Sequence, residues 1–123
     1  MPQGNFNASP DMLYREKADA SVTLDAANAA GTVSATANAG TLSITTNGTL
    51  LDQGDFPNNG LVFNNPLIGP NSHVVVATSS NHRVVWYTPS NVGNGTCTLY
   101  GRNESGGNIS TSTVIKVSYV IYN

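Results

Sequence analysis

Apolar and polar residues alternate along this chain in short runs cut by Gly, Asn and Pro. Val22 and Leu24 alternate with Ser21, Thr23 and Asp25. Val33 and Ala35 alternate with Thr32, Ser34 and Thr36, and Leu42 and Ile44 with Thr41, Ser43 and Thr45. Successive side chains of a strand point to opposite faces, so a period of two predicts strands with one buried face. Asn28, Gly31, Asn38-Ala39-Gly40 and Asn47-Gly48 bound these runs as turns. Asn-Gly supplies the positive φ that tight hairpin turns need, so Asn47-Gly48 predicts a hairpin joining Ile44 to Leu50-Leu51. Asp52 to Gly60 reads as a loop-rich bridge, followed by a short run at Leu61-Val62-Phe63. Asn64 to Asn71 is again punctuated, and its prolines mark turns or sheet edges.

The second half carries the strongest signal. Four strands are predicted: Ser72 to Thr78, His82 to Thr88, Thr96 to Arg102 and Thr113 to Tyr122. In the last, Ile115, Val117, Tyr119 and Ile121 share one face. The other face holds Lys116 and Ser118 but also Val114, Val120 and Tyr122. A strand apolar on both faces at its ends is central in its sheet or covered by a partner. Short strands, turn-rich connections and no helical period predict an all-β fold, a single antiparallel β-sandwich or barrel-like domain over residues 19–123.

Residues 1–18 break the pattern. They contain Pro2 and Pro10, the charges Asp11, Arg15, Glu16 and Lys17, and the apolar Phe6, Met12, Leu13 and Tyr14. Ser9-Pro10 suits the start of a short helix, with the serine as cap and the proline in the first turn. Apolar residues outside the main alternation suit either an extended docking arm, with Phe6, Met12, Leu13, Tyr14 and Arg15 as its partner-binding residues, or a frayed terminus.

Composition narrows the function. Charged residues make up 10% of the 123 residues, against about 25% in an ordinary domain. The formal charge is −2 and the isoelectric point about 5.4, so attraction to nucleic-acid phosphate is weak. With one cysteine, Cys97, no disulfide forms within the chain, which fits a reducing compartment. No apolar stretch of membrane-spanning length occurs, and the first residues lack a signal peptide's basic and apolar regions. Asn-x-Ser/Thr triplets at Asn7, Asn47, Asn94, Asn103 and Asn108 follow from a composition rich in those residues.

Candidate chemistry is sparse. His73 and His82 flank Thr78 to Asn81, but Ser79 and Ser80 lie in no nucleophile-elbow motif. The nearest acids to complete a triad, Asp52 and Asp55, are remote in sequence. His73, His82 and Cys97 are the only soft metal donors and show no ligand spacing. Asp52-Gln53-Gly54-Asp55 lacks the spacing of a calcium loop and reads as a solvated turn. Cys97 alternates with Leu99 and is expected in the core. The glycines at 93, 95, 101, 106 and 107 lie outside any strand–loop–helix phosphate motif and read as turns, with Asn103 to Asn108 as a hairpin tip. No catalytic residue, cofactor or small-molecule substrate is expected. Trp86 aligns with Val84 toward the core, which leaves Tyr87, Tyr100 and Tyr122 as a candidate exposed aromatic patch. Tyrosine is enriched in interface cores, so that patch suits a protein partner better than a glycan.

Three stretches carry a resemblance: His82-Arg83-Val84-Val85-Trp86-Tyr87-Thr88-Pro89-Ser90, Gly95-Thr96-Cys97-Thr98-Leu99-Tyr100-Gly101-Arg102-Asn103, and the chain-ending Ile115 to Tyr122. Together they resemble the small β-sandwich virion proteins of tailed bacteriophages. The resemblance implies a head decoration protein of cement type, a homotrimer bound to the major capsid protein on the capsid surface and assembled in the host cytoplasm. It implies as an alternative a glycan-binding tip of a tail fibre or baseplate. The chain length and the initial Met1 favour cement, since no fibre shaft precedes the sandwich.

Overall fold

The computed structural model describes residues 17–23, 31–78 and 82–123. The expected all-β sandwich is the fold observed. Nine strands form: β1 Lys17–Thr23, β2 Gly31–Ser34, β3 Ala39–Thr45, β4 Asp55–Asn64, β5 His73–Thr78, β6 Val84–Trp86, β7 Ser90–Gly93, β8 Thr96–Asn103 and β9 Val114–Tyr122. One sheet, A, has the order β1-β3-β9-β5. The other, B, has the order β2-β4-β8-β6, with β7 also pairing β8.

The first four strands alternate between the sheets, and each second strand pairs in parallel with the one two before it. Lys17 to Thr23 lie beside Ala39 to Thr45, and Gly31 to Ser34 beside Leu61 to Asn64. This short parallel coil is then closed by antiparallel strands: β9 joins β3 to β5, and β8 joins β4 to β6 and β7. Thus β9 is central in its sheet, while Val114 and Tyr122 on its outer face stay exposed.

Alternation fixes the core. In β9, Ile115, Val117 and Tyr119 are fully buried and Ile121 nearly so. Leu42 and Ile44 of β3, Phe63 of β4 and Cys97 and Leu99 of β8 meet them from their own inward faces. Phe63 packs edge-on against Tyr119 with ring centroids 4.7 Å apart, joining the sheets. Three buried polar residues tie the connections down. Asn65 Nδ2 donates to Ala37 O (2.8 Å) and its Oδ1 accepts from Leu67 N (2.9 Å). Asn103 Nδ2 reaches the carbonyls of Leu50, Leu51 and Gly107 at 3.0–3.2 Å. Thr46 Oγ1 donates to Ser110 O and accepts from Thr113 N. Buried amides and hydroxyls are tolerated because each finds partners.

Several local expectations are corrected. Asn47-Gly48 turns the chain without making a hairpin: Gly48 N donates to Thr111 Oγ1, and Leu50 pairs with Ile109. The supposed bridge Asp55 to Gly60 belongs to β4, where a bulge between Phe56 and Leu61 absorbs the extra residues. Gly60 has φ +83°, and a Cβ there would lie 2.5 Å from Thr98 and 2.9 Å from the Tyr100 ring. Gly101 is no turn either. It sits inside β8, where the absent side chain leaves room for Trp86, whose Cδ2 would be 3.2 Å from an added Cβ. Asn103 to Asn108 crosses from sheet B toward sheet A, so it is an arch and not a hairpin tip. The first strand starts at Lys17, two residues inside the expected arm, and β7 was not anticipated.

Candidate functional site

The two sheets part between β5 and the β6–β7 segment. There they leave a groove of about 340 Å³. Val74, Val75 and Val76 of β5 form one wall, and Trp86, Tyr87 and Pro89 the other. The gap has a local cause. Strands β6 and β7 run in succession along the same side of β8, and the Tyr87 amide donates to Tyr100 O (2.8 Å) at the end of the first. Proline has no amide to continue the ladder, so the pairing lapses at Pro89 and resumes at Ser90 with Thr98.

No Asp, Glu, Lys or Arg lines the groove among the described residues. His73 contributes at one end. Trp86 is half-buried and packs edge-on against Phe56, 5.9 Å away. Its indole Nε1 is shielded from solvent and has no hydrogen-bond partner among the described residues. Thr78 Oγ1 donates to Val84 O and links the two walls at one point. What this arrangement offers is contact area.

The candidate tyrosines are not one patch. Tyr87 is exposed, and with Tyr100 it lies on the outer face of sheet B, beside Val85 and Arg102. Tyr100 is half-buried, lying over Gly60. Tyr122 is exposed but belongs to sheet A, opposite His73. The strand alternation had separated Trp86 from Tyr87 correctly; it carried no information on which sheet each tyrosine joins. Phe6, Met12, Leu13, Tyr14 and Arg15 lie outside the described residues.

The other candidates stay apart. His73 opens β5, and His82 precedes β6 with a buried Nδ1 that has no partner among the described residues. Asp52 sits in a turn and Asp55 begins β4 opposite Arg102. Among the described residues, no three His, Cys, Asp or Glu converge as metal ligands, and no helix is long and apolar enough to cross a membrane. Cys97 is fully buried, and that burial pushes its thiol up to about 11 from 9.0. Tyr119 is raised from 10.0, first by burial, with Asp19 adding and a bond to Asn65 opposing. Asn103, one of the glycosylation triplets, is fully buried with its amide engaged, which leaves no room for a glycan. Arg102 pairs with Glu104 at 2.8 Å on the surface, where an ion pair adds little stability.

The groove was not foreseen. Its signal was present in the uncharged run His73-Val74-Val75-Val76-Ala77-Thr78 and in the proline after Tyr87-Thr88. The chain matches no family model, no curated protein and no solved structure.

Proposed function

We propose that this chain is a structural virion protein that decorates a bacteriophage capsid and stabilises it by bridging neighbouring subunits of the major capsid protein. What carries the reading is the distribution of exposed apolar residues over a stiff sandwich. Val75, Val114 and Tyr122 are exposed on one outer face, Val85 and Tyr87 on the other. Charge is scarce, and interface cores are depleted in charge. Packed DNA presses outward on a shell, and a clamp across a seam adds contact free energy that must be lost before the seam opens. A standard interface buries about 800 Å² per partner, and symmetry repeats it around the particle.

The expected result is co-sedimentation of the purified protein with capsid shells, together with a higher temperature of shell opening. Leu13→Asp, in the expected docking arm, should weaken that binding while the unfolding transition of the dilute protein stays put. Shells that sediment without the protein would refute the role.

The exposed Tyr87, with Tyr100 beside it, favours a second reading, a glycan-binding tip. Aromatic faces stack on sugars, so glycan-array binding lost in Tyr87→Ala would move the assignment to receptor recognition. An array with no binding would remove it.

A further inference from the structure

The four edges of the sandwich are not equal. An unpaired strand edge invites another strand, and proteins blunt edges with charge, shortness or proline. In sheet A, β1 carries Lys17 and Asp19. In sheet B, β2 has four residues, β6 three and β7 four. Strand β5 has none of these protections. It is six residues long, reads His-Val-Val-Val-Ala-Thr, and pairs only with β9 among the described strands. Its second side borders the uncharged groove. An extended segment laid along β5 would extend sheet A and fill the groove with its side chains.

We propose that the occupant is the segment Met12-Leu13-Tyr14 of a second copy of this chain. The segment is uncharged, and no Asp, Glu, Lys or Arg lines the groove among the described residues. Chain length decides between the same copy and another. Lys17 pairs with Ala39, Ala39 with Val120, and Val120 with Val75. Three steps of roughly 4.8 Å put the Val75 backbone roughly 14 Å from that of Lys17, measured along the sheet. Leu13 precedes Lys17 by four residues, and at roughly 3.4 Å per residue a fully extended link spans only about 14 Å. The groove lies past β5, on the side away from β9. A straight link therefore ends short of the chain's own groove, while an adjoining copy can bring its groove to the segment. This deepens the decoration reading, because it names the arm's partner and gives a route to an oligomer. It rests on the arm being a docking segment and not on the capsid, since the copies join with no shell present.

The test uses full-length chains with Leu13→Cys in one population and Val75→Cys in another, mixed and mildly oxidised. Cys97 does not compete, because it is buried and its thiol is raised to about 11. The expected product is a covalent dimer joining positions 13 and 75, in excess over 13–13 and 75–75 links, read by peptide mass spectrometry. Val75→Lys should shift the sedimenting species to monomer, and at concentrations too low for association its unfolding midpoint should match that of the unaltered chain, since Val75 is exposed. Linkage only within a chain carrying both cysteines would overturn the proposal, as would no 13–75 linkage or a wild-type chain that is monomeric at every concentration. A monomer that still binds shells would refute this exchange and leave the decoration role standing.

Discussion

The side of the sandwich bounded by β1 and β2 is closed, and the side bounded by β5 and β6 is open. On the closed side, Val33 is buried, and Ala20, Val22 and Ala35 pack against the core. Just inside it, Phe63 meets Tyr119, and both Asn65 and the Tyr119 hydroxyl donate to Ala37 O, the hydroxyl at 2.9 Å. On the open side, Thr78 bonds to Val84 across the walls among the described residues, and three valines line a groove. The same fold thus concentrates its internal stability on one side and leaves contact surface on the other. Internal stability and surface contacts can then be changed separately.

The largest expected effect breaks the closed side. Phe63→Ala removes a fully buried ring that joins the sheets and should cost about 3–5 kcal/mol in urea unfolding. Next is Asn65→Ala, which strips the Ala37 carbonyl and the Leu67 amide of side-chain partners; leaving such groups unpaired should cost about 1–3 kcal/mol. A pH scan sharpens the same contrast through Cys97, which lies opposite Phe63 in the β4–β8 ladder. Its folded pKa is raised, so the stability of the neutral buried thiol is intact below pH 9.0 and is lost as pH rises through about 11. Tyr119 shifts in the same direction. Thermal midpoints should therefore fall on the alkaline side, and Cys97→Ala should flatten that fall. The smallest effect belongs to the open side. Tyr87→Ala, at an exposed position, should change stability by less than about 0.5 kcal/mol. A large loss there would erase the distinction between the two sides.

The sequence revealed each side to a different degree. Strand β9 was legible because Ile115, Val117, Tyr119 and Ile121 keep one strict period, and period two is what a half-buried strand imposes. The parallel coil was not, because alternation marks a face without marking a neighbour or a direction. Nothing local to Lys17–Thr23 says that its partner is Ala39–Thr45. Pro57-Asn58-Asn59-Gly60 reads as loop by composition, yet the β4 bulge holds it within a strand. At Asn47-Gly48 the local hairpin preference gave way to the Leu50–Ile109 pairing and a bond from the Gly48 amide to the Thr111 hydroxyl. The groove eluded reading for a similar reason: it exists only where β5 and β6, from different sheets, come side by side.

The most direct measurement uses Trp86, the chain's single tryptophan and part of the groove wall. Its emission reports whether the open side is covered. Acrylamide quenching of the full-length chain should weaken as protein concentration rises, and Leu13→Asp should restore quenching to the dilute value. Quenching that is the same at all concentrations, or protection that persists in Leu13→Asp, would contradict the account of the open side as the seam where copies of this chain join.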